Sequence, residues 1–144
     1  ILLGITGLSL TCSARELSGE TALKAGVDLL ASGRAKRALV VSSEEVVPAL
    51  LAAYRAFGSS LEPVEGAAAL LLTTERTDVE LTRVEIGARP TSTLRYVTLP
   101  TTIEQGLVQI ARAVQQVREG ADHARVVTFA QGGGESTVEL KKAA

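Results

Sequence analysis

The sequence contains no methionine and no tryptophan, and only one cysteine, one histidine and four prolines in 144 residues. Each scarcity excludes something. A single cysteine, Cys12, cannot form an internal disulfide and fits a reducing, cytoplasmic setting. The histidine, His123, has no Cys, Asp or Glu around it at metal-ligand spacing, so neither a metal nor a cofactor is expected, and it reads as a solvated loop residue. Long apolar runs are also missing. Val46–Ala53 and Ala67–Leu72 fall far short of the roughly 20 residues that span a bilayer, so no membrane partner is expected. The opening "ILLGITGLSL" has the composition of a secretion-signal core, but it carries no basic leader and runs into a patterned segment. Without a methionine at position 1, the chain reads as one that has lost its true start. The net charge of −1 gives no electrostatic reason to expect nucleic acid or an anionic membrane surface as a partner.

What is present is hydrophobic material, 46% of the chain and mostly aliphatic, enough to build the core of one compact domain or of a piece of one. Gly4–Ser13 is β-compatible. From about Leu17 to Ser32 the spacing becomes helical, with Leu23, Val27 and Leu30 on one face and Ala22, Gly26 and Leu29 beside it. The polar stripe is thin: Glu20, Lys24 and Asp28 stand four apart, a spacing suited to ion pairing along a helix. Gly33 is placed to end this helix in the left-handed conformation. Ala38–Ser43 and Ala67–Thr73 are short continuous apolar runs, as in a sheet covered on both faces. A helix is expected over Glu45–Phe57, with Pro48 in its first turn.

A polar break, "TERTDVE", separates this half from the next. Val79–Gly87 alternates and predicts a strand with one solvated face. Ala88–Pro100 reads as a loop. Thr101 and Glu104 have capping-box spacing before a helix that carries Ile103, Leu107, Ile110, Val114 and Val117 on one side and ends at Gly120. Ala124–Ala130 is a further strand, leading into "QGGGEST" and an expected short terminal helix. Strands alternating with helices predict an α/β fold with a largely parallel sheet.

Two segments in the right order resemble a known family. "GLSLTCSARELSGETALKAGVDLLASGRAKRALVVSSEE" resembles the β-ketoacyl synthase pattern of the thiolase superfamily, and "VEGAAALLLT" is similar to that family's Gly-Glu-Gly-Ala strand. "VVTFAQGGGEST" looks like the strand and loop that bear the family's first catalytic histidine. The resemblance covers most of this chain but well under half of a full ketosynthase. It implies a thiolase-like α-β-α-β-α layered fold. Residues 1–76 would be the end of its first half and residues 77–144 the start of its second.

The resemblance also implies lost chemistry. The family's attacking cysteine falls on Glu16, with Arg15 beside it in place of a small residue, and the Ser-Gly that follows is Ser18-Gly19. The loop histidine falls on Gln131. Condensation needs a thiolate to hold the acyl group and imidazoles to stabilise the enolate and the oxyanion. Gln131 donates a hydrogen bond but cannot shuttle a proton near neutral pH. Glu16 at a helix N-terminus is favoured as a carboxylate. Arg15, Ser18 and the glycines Gly132, Gly133 and Gly134 are then the candidate substrate-binding residues.

Several residues have simpler readings. Cys12 lies in a strand without helix-terminal amides to lower a thiol pKa, so it reads as a small buried residue rather than a displaced nucleophile. "QGGGEST" lacks the lysine of a Walker loop and the spacing of a dinucleotide fingerprint. Glu44 and Glu45 read as a turn and helix start. The leading expectation is a catalytically inactive ketosynthase-like subunit, similar to chain-length-factor subunits in fatty-acid or polyketide synthesis. It would pair with an active ketosynthase or with itself across an edge strand near Leu8–Ala14, with an acyl carrier protein as a further partner. Two alternatives stand beside it. One is altered chemistry at Glu16, as an acyltransferase, thioesterase or malonyl decarboxylase. The other is a stand-alone acyl- or phosphopantetheine-binding module.

Overall fold

A computed structural model describes residues 7–56, 62–88, 102–103, 106–130 and 133–144. A single 3-10 turn, Arg15–Leu17, leads into helix α1 (Ser18–Ala31), followed by strand β1 (Arg37–Glu44) and helix α2 (Pro48–Ala56). The two-residue β2 (Glu62–Pro63) precedes β3 (Gly66–Thr73) and β4 (Val79–Ala88). After β5 (Thr102–Ile103) come helix α3 (Gly106–Arg118), β6 (His123–Phe129) and β7 (Gly134–Lys142).

α1 ends where its sequence says it should. Gly33 takes φ +70, and the amides of Gly33 and Arg34 donate to the carbonyls of Leu30 and Leu29, each at 3.0 Å. Its glycines set its distance from the sheet. A Cβ on Gly26 would stand 3.0 Å from Leu72 Cδ1 and 3.1 Å from Val40 Cγ2, so only glycine allows the helix this close to β1 and β3. α3 is amphipathic, burying Leu107, Ile110, Ala113 and Val117 while Arg112, Gln115 and Gln116 face water.

The sheets differ from expectation. β1 pairs antiparallel with β3, and β4, β7 and β6 form a three-stranded antiparallel sheet in that order, with β7 in the middle. Among the described residues, parallel pairing is confined to Glu62–Pro63 against Thr102–Ile103. The expected layered, thiolase-like, mostly parallel sheet is therefore overturned by a small mixed α/β fold with two antiparallel sheets. One cause is connection length. The link from β6 to β7 is of hairpin length, and parallel neighbours need a crossover of roughly a dozen residues or more. The other is the identity of β7 itself. A short helix was expected after "QGGGEST", but "GESTVELKK" forms a strand in which Ser136, Val138 and Leu140 alternate inward.

Two further expectations change. Burial alternates along the apolar runs of β1 and β3, so their sheet is covered on one face, not two. Residues 7–14, expected as an edge strand, have no regular structure and join none of the described sheets. The Thr101 and Glu104 capping pair and nearly all of the Ala88–Pro100 loop lie outside the described residues, and α3 starts at Gly106.

One core joins the pieces. Leu23 of α1, Val40 of β1, four residues of α3, and Val126, Val138 and Leu140 of the three-stranded sheet form a single buried cluster. Side chains of this size each contribute about 1.5–3 kcal/mol on full burial, so this cluster holds the two helices against both sheets. The outer face of the three-stranded sheet is charged and cross-paired: Glu139 lies between Arg83 and Arg125, at 3.6 Å and 3.7 Å, and Lys141 meets Glu80 at 3.1 Å.

Candidate functional site

The turn Arg15–Leu17 packs against the end of β6 and the start of β7. Leu17 is buried there, and a Cβ on Gly134 would stand 3.1 Å from its Cδ1. The loop between the strands is tight: the amide of Gly133 donates to the Ala130 carbonyl at 3.1 Å, and that of Ala130 to the Gly134 carbonyl at 2.9 Å. Gly133 has φ +87, which side-chain-bearing residues rarely adopt. This glycine therefore makes the hairpin, rather than the strand-to-helix turn its sequence suggested.

The turn that contains Glu16 thus lies against the two strands that flank the loop. Gln131 and Gly132 lie outside the described residues, as does the side chain of Arg15. Glu16 is half-buried, and its Oε2 is buried without a hydrogen-bond partner. Ser18 is engaged locally, its Oγ accepting the amide of Ala14 at 2.9 Å.

Three residues at this end of the molecule carry polar chemistry that the sequence did not single out. The first is Glu20, four residues after Glu16. It is fully buried, Ser136 Oγ donates to its Oε1 at 3.2 Å, and its Oε2 has no partner. It was expected in the solvated stripe with Lys24 and Asp28. Those two do pair, at 2.8 Å, but Glu20 turns inward to the first turn of α3. The second is Thr128, opposite Ser136 in the ladder, with a buried and unpartnered Oγ1.

The third is Tyr54 of α2. Burial first, and then the nearby carboxylates of Glu16 and Glu44, push its phenol above the ordinary 10.0, so it is held protonated as a donor. An i,i+4 acidic pair, Glu16 and Glu20, at the start of a helix was the one sequence signal available for this cluster.

The remaining candidates stand apart. Cys12 is a half-buried free thiol in the unstructured segment before the turn. His123 begins β6, at the end away from the turn, about 20 Å along the strand from Phe129. Among the described residues no group of three or more His, Cys, Asp or Glu could hold a metal ion. None of the described helices is long and apolar enough to cross a membrane. A groove of about 360 Å³ between α1 and the β4–β7 pair is lined by Lys24, Glu85, Glu135 and Thr137 among others, and by none of the predicted site residues.

No protein-family model, no curated protein and no solved structure matches this chain.

Proposed function

We propose that this chain is a non-condensing, ketosynthase-like subunit that acts by association with a catalytic partner or a second copy. The observation that carries the reading is the make-up of the Glu16 site. The two segments that resemble the ketosynthase nucleophile and histidine regions lie side by side, yet the described groups there are carboxylates, hydroxyls and a phenol. The chain has one cysteine and one histidine, and neither is in the cluster. Carboxylates, hydroxyls and a protonated phenol bind and orient donors and acceptors. They do not supply the thiolate and the two imidazoles on which decarboxylative condensation depends.

The exposed apolar residues Leu8 and Leu10 in the segment before the turn favour association, since apolar side chains left in water are readily covered by another chain. The test uses the purified chain, alone and with an active ketosynthase. Alone, it is expected to give no condensation of acyl and malonyl thioesters and no covalent acyl adduct by mass spectrometry. With a ketosynthase, it is expected to co-elute. Condensation by the chain alone that disappears in Glu16→Ala would overturn the reading.

A further inference from the structure

The open face of the β1–β3 sheet carries Leu39, Val41 and Leu71, which are 49%, 59% and 64% exposed, with Ala67 and Ala69 completing it. These residues are contiguous, because the register sets Leu39 opposite Leu71 and Val41 opposite Ala69. Scattered exposed aliphatic residues need no explanation, but a continuous face of them does.

Two gradients run along this face. The first is steric: on β3 the open side passes from Ala67 and Ala69 at one end to Leu71 at the other. The second is electrostatic. The end where Arg37 pairs with Thr73 carries the exposed cations Arg34, Lys36, Arg37 and Arg76, of which Arg37 is matched by Glu75 at 3.1 Å. The end where Glu44 pairs with Gly66 carries the exposed Glu45 and Glu65, with no cation among residues 44–50 or 63–67.

We propose that this face is a contact between two copies of the chain, stacked about a two-fold axis that lies across the strands. Such an axis sets the basic end of each copy against the acidic end of the other, and Leu71 of each over the small residues of the other. A two-fold contact must be self-complementary, and opposed gradients of size and charge along one face meet that requirement. An unrelated partner would need only one of them. The apolar face, from Ala67 to Leu71 across two strands, measures roughly 16 Å by 10 Å, well below the roughly 800 Å² a side of a standard interface, so the charged ends must take part. The contact is therefore a weak, concentration-dependent dimer that loosens with salt. It uses a surface separate from the segment before the turn, so it does not depend on the presence of a ketosynthase.

Sedimentation velocity over a concentration series tests this. The chain is expected to dimerise as concentration rises, and Leu71→Asp is expected to remain monomeric throughout. Reversing the basic end, Arg34→Glu with Lys36→Glu, weakens the dimer about tenfold or more, and Glu45→Lys weakens it in the same direction. Placing these reversals in one chain together with Glu65→Lys restores it, because the two ends then carry net charges of the opposite sign and the gradient is inverted rather than removed. All these positions are exposed, and circular dichroism confirms that each variant is folded. A chain that stays monomeric at every concentration overturns the proposal. So does a dimer indifferent to Leu71→Asp, or a combined reversal that fails to restore association.

Discussion

The carboxyl group of Glu20 fills the position where a side chain on Gly106 would begin, so the two helices α1 and α3 meet through a buried acid and a residue without a side chain. The first turn of a helix presents unpaired amides and a partial positive charge, and an acid from a neighbouring helix is a favourable occupant of that space. Gly106→Ala would force the Glu20 carboxyl out of a site with no free volume. We expect a loss of about 1–3 kcal/mol in urea unfolding, the usual cost of overpacking. Combined with Glu20→Ala, the loss should be smaller than the sum of the two single losses, since the clash is then gone.

Ser136 donates a hydrogen bond to Glu20 at 3.2 Å, while the acid's other oxygen has no partner. Ser136→Ala removes that donor and is expected to cost about 1–3 kcal/mol, because a buried polar group loses its partner. Glu20→Gln in the Ser136→Ala background should recover part of it, as an amide is less costly to bury unpaired than a carboxylate. Chemical unfolding of the two variants decides the matter, and equal stabilities would show that Ser136 does not support the acid.

Tyr54 gives a test by pH. Its phenol is raised above 10.0 by burial, and then by Glu16 and Glu44. In the unfolded chain it ionises near 10, so between that value and the folded one the unfolded state holds fewer protons and stability falls as pH rises. The phenolate absorbance lost in Tyr54→Phe should titrate above 10, and Glu16→Gln should move that titration downward without returning it fully, since burial is the larger cause. An unchanged titration would separate Glu16 from Tyr54.

Gly26 tests the packing of α1 on the β1–β3 sheet. Alanine improves helix propensity by about 1 kcal/mol, but its methyl group would crowd Leu72 and Val40. Gly26→Val adds a branched side chain to the same contact and should destabilise by about 2 kcal/mol or more relative to Gly26→Ala. Thermal unfolding of the pair measures the difference.

Much of the local structure was legible because it is written in short-range spacing. Gly33 ends α1, Val79–Gly87 falls within β4, and Leu107, Ile110 and Val117 are buried on α3, each as their pattern predicts. Strand direction was not legible, since it depends on which distant segments pair. The apolar run of β1 reads the same whether its neighbour is parallel or antiparallel. The terminal segment was misread because Gly132–Gly134 resemble a break before a helix, while the signal that mattered was the alternation of Ser136, Val138 and Leu140. At the candidate site, Glu16 was singled out only through the resemblance. Glu20 was assigned to water because its own helix offers Lys24 at ion-pairing distance. Its burial follows from Gly106, 86 positions later, and no window of sequence contains both.

The central position of β7 has a consequence for the order in which the molecule can form. β4 and β6 do not pair with each other, and each finds its ladder only on β7, with Val84 meeting Val138 across 54 positions of chain. Contacts so distant in sequence are slow to close. While residues 134–142 are still emerging from the ribosome, β4 and β6 have no described strand to pair with. The β6–β7 hairpin is local and closes once residues 134–142 have emerged, β4 joins it across a longer stretch of chain, and a nascent chain halted before Gly134 would expose two strands without their described partner.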